Sequence, residues 1–121
     1  MVKEYQRSDR LAELIQTELA MLLTREIADP RLKGLSITAV KVSPDLGHAR
    51  VHFSMLNPDK TKIKQAEQAF CKAQGFIRKH IAQAIELRLV PTFSFYFDEL
   101  ADKSLRLLSI IDTAMQQNGH H

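Results

Sequence analysis

The chain of 121 residues has a single cysteine, Cys71, so it can form no internal disulfide, and its composition suits a reducing compartment such as the cytoplasm. No uninterrupted apolar run approaches the roughly 18 residues needed to span a bilayer, and the opening Met1-Val2-Lys3-Glu4-Tyr5 has no apolar signal core. Membrane insertion and secretion are therefore not expected. The four glycines, Gly34, Gly47, Gly75 and Gly119, are too scattered to build a phosphate-cradling GxxxxGK[ST] or GxGxxG loop. With one cysteine there is no zinc knuckle. His48 and His52 share a strand face but stand about 13 Å apart, too far to chelate one ion. Cys71 and His80, nine residues apart on one helix, are also about 13 Å apart and read as a buried structural thiol and an unrelated histidine. No catalytic residue, metal or cofactor is expected.

What the chain does contain is a concentrated basic middle. Residues 1–30, 31–88 and 89–121 carry net charges of −2, +7 and −2, within an overall +3. Such asymmetry fits an oriented binder of a polyanion. At this length the chain fits one domain with one hydrophobic core, taken here as residues 1–118, with residues 119–121 either a native tail or a tag remnant.

Hydrophobic periodicity gives the order helix, strand, strand, long helix, strand, helix. Leu11, Leu14, Ile15, Leu19 and Leu22 form one helical face from about Asp9 to Ile27, with Ser8 able to cap it and Glu18 inside the stripe, where it needs a donor or a place at the rim. Asp29-Pro30 stops this helix. Residues 35–42 read as a strand with Leu35, Ile37 and Ala39 on one side and Ser36, Thr38 and Val40 on the other. After the turn residues Ser43-Pro44-Asp45-Leu46-Gly47, Ala49, Val51, Phe53 and Met55 alternate with polar neighbours, which makes an antiparallel partner strand. Phe93, Phe95 and Phe97 put three rings on the core side of a third strand, with Ser94 and Tyr96 opposite. A last helix, capped by Asp98 or Ser104, carries Leu105, Leu108, Ile111 and Met115. The fold class is α+β, with a mixed or antiparallel three-stranded sheet.

Ile63, Ala66, Phe70, Ala73, Ile77, Ile81 and Ile85 form the apolar stripe of the long helix, which runs to about Leu87 and is interrupted at Ala73-Gln74-Gly75. Glycine costs about 1 kcal/mol against alanine inside a helix, so Gly75 is either simply tolerated or marks a bend where another backbone comes close. Lys72, Arg78 and Lys79 bracket it. A new helix start there would combine unsatisfied N–H groups with the dipole to hold phosphate, which resembles a KH module whose GXXG loop is reduced to its glycine. Arg31 and Lys33 in the first loop, with Lys72, Arg78, Lys79 and Arg88, are the candidate phosphate contacts, and Gly75 sets the bend.

The chain resembles the ribosome-binding factor A family from Arg7 to about Ile111. The resemblance rests on Arg10 and Glu18-Leu19, Asp29-Pro30-Arg31-Leu32, Ile37 to Ser43 with Asp45-Leu46, Ala49-Arg50-Val51, Phe53-Ser54, Gly75-Phe76-Ile77-Arg78, Leu87-Arg88, Pro91, Phe93, Phe95 and Asp98. It implies a type II KH-like topology in which an Ala-x-Gly kink, at Ala73-Gln74-Gly75, replaces the GXXG loop. It further implies a non-enzymatic assembly factor, important in the cold, that binds the free 30S subunit and 16S rRNA and assists late maturation, including processing of the 16S 5′ end. The expected state is a monomer. A protein-interaction module without direct RNA contact is the alternative, and an enzyme ranks third.

Overall fold

The computed structural model describes residues 6–100. The expected last helix, with Leu105, Leu108, Ile111 and Met115, lies outside the described residues. Helix α1 spans Arg7–Arg25, a 3-10 turn spans Pro30–Leu32, and strands β1 (Ser36–Val42) and β2 (His48–Ser54) precede helix α2 (Lys60–Ile85) and strand β3 (Thr92–Phe97). The sheet order is β1-β2-β3, with β1 antiparallel and β3 parallel to the central β2. The α+β reading and the mixed sheet hold.

Helix α1 starts two residues earlier than its sequence indicates. Gln6 is the N-cap, and its N–H donates to the Asp9 carboxylate at 2.9 Å, while Ser8 is buried inside the first turn rather than capping it. The carboxylate three residues on satisfies the N–H of the capping residue itself, so the helix starts without a serine cap. The helix ends at Arg25, before the proline-directed stop, and Asp29 instead caps the 3-10 turn that Pro30 opens. Leu14 is 45% exposed, and Ala12 and Leu23 take its expected place in the core beside Leu11, Ile15, Leu19 and Leu22. Glu18 is half-buried with its carboxylate 3.7 Å from His80 Nε2.

The imperfect alternation of β1 has a geometric cause. Ile37 pairs with Phe53 and Ala39 with His52, leaving Thr38 as an extra residue that bulges. The bulge reverses the parity of the strand, so Val40 turns into the core opposite Val51, and Ala39 joins the outer side with His52. The expected grouping of Val40 with Ser36 and Thr38 is thereby corrected. Bulged Thr38 donates its hydroxyl to Asp98 at 2.7 Å, tying β1 to the end of β3.

Helix α2 supplies the crossover that parallel pairing requires. Asp59 caps it by accepting the Lys62 N–H at 2.7 Å, and Glu86, in the left-handed region at φ 57°, terminates it just short of Leu87. Ala66, Ala69, Phe70, Ile77 and Ile81 are fully buried beneath it. The Phe70 ring stacks on Phe95, with centroids 4.2 Å apart and planes 2° from parallel, and meets Phe53 at 5.2 Å. The three β3 phenylalanines are core, as their period of two predicts.

Strand β3 is a sheet edge, and α2 closes part of it. The Gln74 carboxamide donates from Nε2 to Phe93 O at 3.0 Å and accepts the Phe93 N–H on Oε1 at 2.9 Å. This is the two-way exchange that a neighbouring strand would make. One turn on, Arg78 donates to Pro91 O at 3.3 Å and Val90 O at 3.1 Å. Replacing Gln74 by leucine keeps the bulk and leaves both groups of Phe93 without these partners. We expect a loss of about 1–3 kcal/mol in urea unfolding, with an unchanged fold by circular dichroism.

Candidate nucleic-acid interface

On the outward side of α2, Lys72, Phe76 and Lys79 follow each other at steps of four and three, which stacks them along one helical face. All three are exposed, and the Phe76 ring is 50% exposed. A large aromatic held out between two ammonium groups offers bases a stacking plane beside phosphate counter-charges. Sequence reasoning passed over Phe76 as a contact, although its signal was there: it falls outside the stripe of Ala66, Phe70, Ala73 and Ile77, on a polar face.

Beside the first turn of α2 lies an open cavity of about 520 Å³. Arg31, Lys33 and Lys62 line it together with Leu35, Met55 and Leu56. The 3-10 turn brings Arg31 and Lys33 to this edge, and Lys62 adds a third cation, its Nζ 3.3 Å from Asn57 O. Cations around an apolar floor suit a nucleotide, whose phosphate and base need both.

The cations differ in how committed they are. Arg31 grips Asp29 through Nε to Oδ1 at 3.0 Å and a terminal nitrogen to Oδ2 at 2.7 Å, while its own N–H donates to Oδ1 at 2.9 Å. These bonds, side chain first, hold the Asp29 carboxyl down from the ordinary 3.8 to about 2, with the charges of Arg31 and then Lys72 adding to the effect. The same carboxylate raises the Arg31 guanidinium. Arg31 therefore reaches a phosphate only with a carboxylate already on it, whereas Lys33, Lys72 and Lys79 are exposed ammonium groups.

The expected residues thus fall into separate places. Arg31, Lys33 and Lys72 gather around the 3-10 turn and the adjoining part of α2, and Lys79 extends their face along the helix. Arg78 lies on the other flank, its guanidinium engaged with the start of β3, and Arg88 follows the C-terminal end of α2. Helix α2 runs unbroken through Ala73-Gln74-Gly75, so the expected second helix start is absent. One glycine, costing about 1 kcal/mol, does not end a helix anchored by buried Phe70 and Ile77. Nor, among the described residues, does another segment approach Gly75: a Cβ there would meet no atom within 4 Å outside its own helix turn. Cys71 is exposed rather than buried, because the core side of this turn is taken by Phe70. His80 turns towards α1, with Nδ1 3.6 Å from the Glu26 carboxylate, and not towards the thiol.

The family model for ribosome-binding factor A matches residues 7–111. The chain belongs to the ribosome-binding factor A family. A ribosome-binding factor A from Pseudomonas entomophila (strain L48) is 39% identical over 122 residues, covering all of this chain and 92% of that protein. A Thermotoga maritima protein solved by solution NMR is 30% identical with a TM-score of 0.67, over 79% of this chain and 91% of that one. The Thermus thermophilus factor, a homology model fitted into a cryo-EM map of a 30S–RbfA complex, shares the fold at a TM-score of 0.60 and 24% identity, over 74% and 91% of the two chains. The α+β arrangement is the KH-like fold of these family structures, with no GXXG loop between helices.

Two outcomes test the family's helix and loop in this chain. Gly75→Ala meets no steric obstacle and removes the helical cost of glycine, so the melting temperature should rise by about 4 °C, the equivalent of about 1 kcal/mol. Because the folded Asp29 carboxyl titrates below its unfolded value, its contribution is complete above about pH 4 and is lost as the pH falls towards about 2. Asp29→Asn should flatten the pH dependence of unfolding in that window, and a carboxyl NMR titration of the parent protein should place Asp29 near 2.

Proposed function

We propose that this protein is a small-subunit assembly factor that docks on the 16S rRNA of the free 30S subunit through the outward face of α2 and the adjoining basic cavity. The observation that carries this reading is the exposed stripe of Lys72, Phe76 and Lys79, continued by Lys33 and Lys62, in a chain of a family named for ribosome binding. The fitted 30S complex of the Thermus thermophilus relative supports the choice of subunit. Phosphate contact by ammonium groups fixes position without reading sequence, and Phe76 adds a stacking plane for an unpaired base. Arg88 extends the charged face beyond the helix end. Gly75 keeps that face low beside Phe76, so that an RNA backbone can pass close to the helix.

In this reading the protein acts in the cytoplasm as a monomeric, non-catalytic binding factor. Its docking assists late maturation of the subunit, including 5′-end processing of 16S rRNA, and matters most in the cold, when RNA structures rearrange slowly. Among the described residues no helix is long and apolar enough to cross a membrane, and no group of three His, Cys, Asp or Glu side chains could hold a metal ion.

Cosedimentation with purified free 30S subunits at rising salt tests the docking. Binding should fall steeply with salt, and the double variant Lys72→Glu/Lys79→Glu should weaken it at least about tenfold while reducing the log–log salt slope by about two. Full retention by that variant would favour the protein-interaction alternative. Gly75→Ala, despite its higher melting temperature, should bind the subunit more weakly.

A further inference from the structure

The face of the sheet turned away from the two helices carries chemistry that the α2 docking surface does not use. Lys41 pairs with Arg50 across β1 and β2, while Arg50 pairs with Ser94 and His52 with Tyr96 across β2 and β3. Paired residues share a face, so these side chains form one surface, and His48 joins it two residues before Arg50. The alternating Ala49, Val51 and Phe53 are fully buried on the other side. Tyr96 is 44% exposed. The Arg50 guanidinium carbon lies 5.6 Å from the centre of its ring, and the His52 ring lies 5.8 Å away, tilted by 34°. His48 Nε2 is 3.1 Å from the Ser94 hydroxyl.

Among the described residues, the hydrophobic core does not include these side chains. The sheet is held to the helices by the phenylalanines on its opposite face, and Tyr96 contributes nothing to that core. The register positions of this face carry no acidic residue, and Glu67 and Glu99 meet Tyr96 only beyond them, in an open pocket shared with Lys60 and Lys64. Along the paired strands the surface is cationic and polar, with one prominent aromatic plane. Aromatic rings beside guanidinium and ammonium groups on an open sheet are what an unpaired nucleotide needs: a stacking plane for the base and counter-charge for its phosphates.

We propose that the open sheet face is a second RNA-binding surface, in which an unpaired base stacks on Tyr96 beside His52 while the flanking phosphates lie against Arg50 and Lys41. This rests on reading the chain as an RNA-docking factor and adds that RNA is held on two opposite sides of the domain. The α2 surface holds backbone beside one stacking plane at Phe76, and the sheet face takes a further single-stranded segment. A free strand end or a looped-out segment of an immature RNA is the chemistry that fits.

The chain has two tyrosines and no tryptophan, so in the full-length Tyr5→Phe protein the tyrosine emission belongs to Tyr96 alone. Titration with a single-stranded oligouridylate, corrected for its absorbance, should quench this emission saturably. Arg50→Glu should weaken the quenching titration about tenfold, and Tyr96→Leu, made with Lys72→Glu/Lys79→Glu so that the α2 face is silenced and followed by anisotropy of labelled oligouridylate, should weaken binding by a similar factor. Lys72→Glu/Lys79→Glu, on the far side of the domain, should leave the quenching curve in place while 30S pelleting falls. Bound oligouridylate without quenching, no binding at all, or equal loss in the Arg50 and Lys72/Lys79 variants would overturn the sheet-face site. Undiminished pelleting of the Lys72/Lys79 variant would count against the α2 docking reading alone, since the quenching reports only on the sheet.

Discussion

Strand β3 runs parallel to β2, and a parallel neighbour can be reached only if the chain crosses back over the sheet. Helix α2 is that crossing, 26 residues long and therefore about 39 Å from end to end. Most of the domain follows from how this helix is fixed. Phe70 stacks flat on Phe95, Gln74 exchanges two hydrogen bonds with Phe93, and Arg78 reaches the carbonyls just before β3. Aromatic stacking sets the distance between helix and sheet, and the amide pair sets their register. With one side of α2 held in this way, Lys72, Phe76 and Lys79 on its other side are exposed.

That division explains why the cations are not equivalent. Arg78 and Arg31 have planar guanidinium groups, which suit carbonyl and carboxylate partners within the fold, and both are engaged there. The lysines at 33, 72 and 79 stand out in solvent, each a compact ammonium on a flexible stem, and under the proposed function they are the groups that meet phosphate. The arginines shape the surface, and the lysines supply its charge. Glycine 75 lies on the same exposed side, one residue before Phe76, and its lack of a side chain is a property of the surface and not of the core.

The two faces of the domain also differ in chemistry. The helix face presents cations along a convex rod, beside an open cavity with an apolar floor. The sheet face is flatter, and strand register brings both Arg50 and His52 to the Tyr96 ring. Register is strict here because the opposite side chains of β2 are buried, and a slip by one residue would exchange the two faces. The burial of Val51 and Phe53 thus fixes the outward position of Arg50 and His52.

Periodicity and turn chemistry in the sequence determined the order of the elements through β3, the core role of Phe93, Phe95 and Phe97, the hairpin at Ser43 to Gly47 and the basic character of the middle of the chain. These are local properties: spacing of three and four, spacing of two, and residues suited to tight turns. The family, too, could be read from the order of its short motifs. Only the tertiary structure decided which cations remain outward and which serve the fold, because the partners of Arg31 and Arg78 depend on where a loop and a strand edge come to lie. It alone decided that Thr38 bulges and returns Val40 to the core, since a bulge is visible only against the paired strand. It also decided that Gly75 leaves α2 unbroken: helix propensity penalises glycine locally, and the packing of Phe70 and Ile77 on either side outweighs that penalty.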